Sequence, residues 1–143
     1  MRLVVATDGS PHAKKAVEYA ARLTRELRET EILLVTVGHI PALAMADPGM
    51  PVLDITPLVE ATERAGQQIL EEAMAGFAGV TVPVKRIYRN GDPSIQIIEA
   101  ATEAKADLIV VGARGLGQVG GLILGSVSER VLHGSSIPVL VVR

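Results

Sequence analysis

Five short apolar runs rich in Val, Ile and Leu punctuate the chain: Leu3 to Thr7, Ile32 to Val37, Val80 to Tyr88, Leu108 to Val111 and Pro138 to Val142. Several are continuously hydrophobic, as strands covered on both faces are. Val80 to Tyr88 alternates instead, with Thr81, Pro83 and Lys85 interleaved. That pattern predicts an edge strand, where a missing proline N–H is tolerated.

The segments between the runs carry helix signals. Ser10-Pro11, Thr56-Pro57 and Asp92-Pro93 each place an N-cap residue before a proline at the first helical position. Val17, Ala20, Ala21 and Leu27 give the first helix an apolar face, with Lys14, Lys15, Arg25 and Arg28 largely outside it. Ile95, Ile98, Ala101 and Thr102 do the same in the third. A fourth helix begins at Ser126, where Ser126-Val127-Ser128-Glu129 matches a capping box with Ser126 as N-cap. Strand and helix alternate throughout. The prediction is an α/β fold: a doubly wound, five-stranded parallel sheet with right-handed crossovers and helices on both faces. One segment, Gly38 to Ile55, is too long for a tight connection, and such loops are functional or mobile.

Composition narrows the picture. The 143 residues read as a single domain over 1–143, and a chain of that size buries roughly 70% of its unfolded surface. Only 2% of residues are aromatic against 48% hydrophobic, so the core must be built from Val, Leu, Ile and Ala. A formal net charge of −2 argues against a nucleic-acid binder that works by neutralising phosphates. With no cysteine there is neither a disulfide nor thiol chemistry. No secretory segment and no apolar run long enough to span a bilayer is seen, so a cytoplasmic protein without membrane attachment is expected.

Candidate chemistry gathers at strand ends. Thr7-Asp8-Gly9-Ser10 ends the first strand. Val110-Val111-Gly112-Ala113-Arg114-Gly115 ends the fourth and is followed, after nine residues, by Gly125-Ser126-Val127-Ser128 at a helix start. Glycine lets backbone approach a ligand closely, and free N–H groups at a helix start favour anions. In open α/β sheets, ligands bind beyond the carboxyl ends of strands where the strand order reverses. The clustering supports a Rossmann-like order 3-2-1-4-5, which opens both motifs onto one crevice beside Val37. Gly115 to Gly120 spells G-x-G-x-x-G, but the strand that follows runs into Arg143 and supplies no acidic residue for a ribose. No Gly-Lys-Ser/Thr occurs either, so a nucleotide would be held by backbone amides and hydroxyls without an invading lysine.

The spacing G-x-x-G, nine residues, G-S, with Asp8 after the first strand, resembles the ATP-binding branch of the universal stress protein family. The likeness spans the chain through Asp8-Gly9-Ser10 with Ala13, Val37, Gly91-Asp92-Pro93 and the closing Pro138 to Val142. It implies ATP, with or without Mg²⁺, as ligand. Asp8 would lie near the adenosine, with Ala6 and Thr7 lining the site. The Val37 backbone would read the adenine edge and Val111 would pack on the nucleoside. Gly112 and Gly115 would let the chain pass the ribose and phosphates. Gly125, Ser126, Val127 and Ser128 would hold the triphosphate. Arg114 sits where the family varies and receives no role.

Plainer readings stand beside these. Asp8 can anchor a turn with Gly9, and Ser126 can serve as an N-cap alone. His12, His39 and His133 lie on separate elements, against a metal site or a catalytic histidine. Leu116 to Leu124, apolar and glycine-rich, reads as a flap. The leading function is an ATP-binding regulatory or stress-response protein. The alternatives are a slow ATP hydrolase or phosphoryl-transfer enzyme, and an interaction module with no ligand. In the order 3-2-1-4-5 the last strand is an edge. Its apolar, nearly uncharged Val139 to Val142 invites pairing. The resemblance likewise implies a homodimer through this strand, with C₂ symmetry.

Overall fold

The computed structural model describes residues 1–27, 29–40, 54–116 and 124–143. Five strands, β1 (Arg2–Ala6), β2 (Glu31–Gly38), β3 (Val84–Asn90), β4 (Leu108–Gly112) and β5 (Val139–Val142), alternate with four helices, α1 (Pro11–Glu26), α2 (Thr56–Met74), α3 (Pro93–Glu103) and α4 (Ser126–Gly134). A 3₁₀ turn, Ala75–Phe77, extends α2. All neighbouring strands are parallel, in the order β3-β2-β1-β4-β5. The fold class expected from the alternation of strands and helices, and the strand order expected from the clustering of special residues at strand ends, are therefore those of the molecule.

Period-two alternation divides the central strands between two cores. Leu3, Val5, Ile32, Leu34 and Val110 face Ala16, Val17, Ala20 and Ala21 of α1, together with Leu70 and Phe77. Val4, Ala6, Val35, Ile109 and Val111 face Ile97, Ala100 and Ala101 of α3 and Val131 of α4. Leu3, Val4, Val5, Leu34, Ile109 and Val110 are wholly buried, and each such side chain contributes about 1.5–3 kcal/mol relative to exposure. Small residues on α1 let the helix lie close to the sheet, which matters for the site below.

Several local expectations shift. The third strand runs over Val84–Asn90 rather than Val80–Tyr88; Val80 and Val82 instead pack against the α1-side core, and pairing begins where Val84 meets Ile32. It is an edge strand as expected, and Pro83 serves it through its carbonyl, which accepts from the Ile32 amide at 2.9 Å. Ser10 and Asp92 are N-caps. Thr56 is not: it lies inside α2 behind Ile55, and its amide donates to the Asp54 carboxylate at 3.0 Å. Ile95 is 53% exposed, because α3 turns Ser94, Ile97, Ala100 and Ala101 inward instead. Thr102 is also exposed, and Leu27 falls just past the end of α1 as its C-cap. Most of the Gly38–Ile55 connection lies outside the described residues, as do 117–123, the greater part of the expected flap and of the G-x-G-x-x-G run.

Candidate functional site

The carboxyl ends of β1, β2 and β4 lie side by side at the middle of the sheet, where the chain order reverses. The first of these tips is held in place by its neighbour. The Thr7 amide donates to the Val35 carbonyl at 2.9 Å, and the buried Thr36 hydroxyl donates to the Thr7 carbonyl at 2.7 Å. The chain then turns sharply at Gly9, whose φ of +79° is a conformation side chains rarely adopt.

Asp8 organises this turn and ties it to the next. Its Oδ1 accepts the Ser10 amide at 3.0 Å, while Oδ2 accepts the Leu116 amide, also at 3.0 Å, from the loop after β4. A Cβ on Gly115 would collide with that same Oδ2, so glycine lets the loop draw over the carboxylate without displacing it. Ser10 adds a second tie: its Oγ accepts the Ala13 amide as N-cap at 3.3 Å and donates to the Arg114 carbonyl at 3.2 Å. The turn-anchoring reading of Asp8 is thus realised in the structure.

Gly112 does a different task. A Cβ there would lie 2.6 Å from the His12 carbonyl carbon and 2.7 Å from the Ala13 nitrogen. Its bare face receives the backbone of α1, so this glycine sets how closely helix and strand approach.

At the start of α4 the N-cap is Gly125, not Ser126. The Gly125 amide donates to the Ala113 carbonyl at 2.7 Å, and the buried Ser128 hydroxyl donates to the Ala113 and Gly125 carbonyls at 2.9 and 3.0 Å. These bonds lock the turn and move Ser126 into the first helical position with its side chain exposed. The first amide to bond back is that of Glu129, to Gly125 at 2.9 Å. Among the described residues the amides of Ser126, Val127 and Ser128 therefore keep no acceptor, as the first turn of a helix dictates. They carry the positive end of the helix dipole.

Beside these amides lies an aliphatic wall. Ala6 and Val111 are buried in the core that faces α3 and α4, and Val37 and Val127 are half-buried against it. Ala6, Val37 and Val111 share one face of the sheet at adjoining strand tips, and Val127 of α4 packs into the same core. One charged residue escapes a reading of the sequence. Arg130, one turn into α4, places its Nη1 2.8 Å from Asp92 Oδ2 and its Nε 3.4 Å from the Ser126 carbonyl. The available signal was its i+4 spacing from Ser126, which puts both on one helix face. Among the described residues, no group of three or more His, Asp or Glu is placed to hold a metal ion. No described helix is long and apolar enough to cross a membrane.

Comparison with known proteins agrees with this arrangement. The family model described as "Universal stress protein family" matches residues 1–143. The chain is 38% identical over 141 residues to a universal stress protein of Thermus aquaticus, covering 99% of this chain and 97% of that one. It is 34% identical over 146 residues to the universal stress protein YxiE of Bacillus subtilis, covering 99% and 98%. Among solved structures, a universal stress protein in complex with cAMP matches with a TM-score of 0.72 at 28% identity, over 100% of this chain and 97% of that chain. With sheet order, tip geometry and whole-length similarity in agreement, the chain belongs to the universal stress protein family.

Proposed function

We propose that the crevice at the tips of β1, β2 and β4 binds an adenine nucleotide, with ATP as the principal ligand, and that the protein is a cytoplasmic nucleotide-sensing regulator. The observation that carries this reading is the pairing of an aliphatic wall with three amides at the start of α4 that have no acceptor among the described residues. Ala6, Val37, Val111 and Val127 offer an apolar surface to a base, in keeping with a chain so poor in aromatic residues. The main chain of Thr7, Val37 and Gly112 borders that surface. Asp8 and Gly115 bound the ribose side. Gly125, Ser126, Val127 and Ser128 would hold the phosphates, chiefly through amides, because the Ser128 hydroxyl is already committed to two carbonyls. Mg²⁺, where it accompanies ATP, would be held mainly by the phosphates. Asp8 is the carboxylate at the β1 tip, and both its oxygens already accept amides. The complex of a similar structure with cAMP supports the choice of adenine nucleotide.

Titration calorimetry of the purified protein tests this reading. Saturable binding of ATP is expected, and no heat with ATP or ADP at millimolar concentration would remove it. A sharper test is Ser126→Pro. Proline is accommodated at the first helical position but lacks the N–H. Loss of one hydrogen bond to a charged group costs about 1.5–3 kcal/mol, so ATP binding should weaken roughly tenfold or more. Ser126→Ala, which keeps the amide, should bind nearly as the parent does.

We further propose a C₂ homodimer through β5. This strand pairs with β4 along one side, and all four of its residues are only half-buried within a single chain.

A further inference from the structure

The starts of α3 and α4 stand side by side on the rim of the crevice, packed through Ile97, Ala100 and Ala101 against Val127 and Val131. Each carries the partial positive charge of a helix start, but only one is open to an anion. At α3 the Asp92 carboxylate fills that role: its Oδ1 accepts the Ser94 amide at 2.9 Å, the Ser94 hydroxyl at 2.5 Å and the Ile95 amide at 3.2 Å. The Ser94 hydroxyl first, then the Ile95 amide and Arg130, hold Asp92 down to about 2, so it is fully charged at neutral pH. A fixed negative charge thus stands within the span of one guanidinium from the Ser126 carbonyl, beside the turn assigned above to the ligand's phosphates. Arg130 is the group that bridges the two. It uses two of its five N–H donors on these partners.

We propose that Arg130 is a positioning and charge-compensating residue of the nucleotide site, whose pairing with Asp92 makes affinity depend on the number of phosphates. This rests on the nucleotide-binding reading above. Arg130 cancels the carboxylate that would otherwise repel the incoming anion, and it holds the first turn of α4 in register with α3. Adenosine, without phosphates, is indifferent to the pair. Each added phosphate charge feels it more strongly, as Coulomb's law requires.

Calorimetric titration of adenosine, AMP, ADP and ATP at low ionic strength tests the proposal with the parent, Arg130→Gln, Arg130→Lys, Asp92→Asn and the double variant Arg130→Gln/Asp92→Asn. Asparagine caps a helix about as well as aspartate, so Asp92→Asn removes charge without removing the cap. Arg130→Gln should weaken ATP about fivefold, the scale of a solvent-facing ion pair, and leave adenosine unchanged. Arg130→Lys should recover part of the loss and the double variant most of it, and the difference should shrink at high salt. An equal loss for adenosine and ATP, no loss for either, or a double variant as weak as Arg130→Gln would overturn the proposal. A parent protein that binds none of the four ligands would overturn the nucleotide reading itself and this inference with it. That result differs plainly from parental binding that Arg130→Gln leaves untouched.

Discussion

Gly112 and Gly115 are three residues apart in one motif, yet they accommodate different neighbours. Gly115 leaves room for a carboxylate side chain, which can rotate away. Gly112 leaves room for helix backbone, which cannot move without dislodging α1 from the sheet. Gly112→Ala should therefore destabilise the fold by about 1–3 kcal/mol, the usual cost of overpacking, seen as a lower urea midpoint with an unchanged slope. A midpoint equal to the parent's would show that α1 can recede at no cost. Asp8 illustrates the same economy of parts. One oxygen shapes its own turn while the other fastens a loop that the sequence places far away.

At the scale of elements, the helix starts decide where charge can sit. Asp92 caps α3 and pairs with Arg130, so Asp92→Ala should cost about 1 kcal/mol at pH 7 from the lost cap alone. The folded protein holds Asp92 at about 2, below the ordinary 3.8, so its contribution is complete above pH 4 and is lost as pH falls through 2. The stability gap between parent and Asp92→Ala, followed by thermal melting, should narrow across that window. A constant gap would contradict the assignment. Ser10 and Asp92 were legible as caps because a cap residue followed directly by proline leaves little choice of helix start. Thr56 and Ser126 carry equally good local signals but were overruled by neighbours: the Asp54 carboxylate for one, the Ala113 carbonyl for the other. The third strand slid toward its C-terminus because its bounds are set by pairing with β2, which no local alternation reveals. The same holds for Arg130. Its meaning depends on Asp92, and only the packing of α3 on α4 makes them neighbours.

Across the whole molecule, the strand order was legible because nearly all special residues fall at strand ends that only the sequence 3-2-1-4-5 brings together. That order also leaves β5 at an edge. The carbonyls of Pro138 and Val142 accept the amides of Ile109 in β4 and of Ala113 just past it, so by strand alternation the polar backbone groups of Val141 point to the open side. Val141→Pro should thus block pairing with a second chain while sparing the ladder to β4. Sedimentation velocity should show a dimer for the parent and a folded monomer for the variant; a parent that sediments as a monomer at micromolar concentration would dispose of the homodimer. The bond from the Leu116 amide to Asp8 spans 108 positions of chain. During translation the β1 tip therefore emerges long before the loop that completes it, and the site exists only once most of the polypeptide has left the ribosome. A nascent fragment that stops short of Leu116 therefore lacks the bond that ties the two strand tips together.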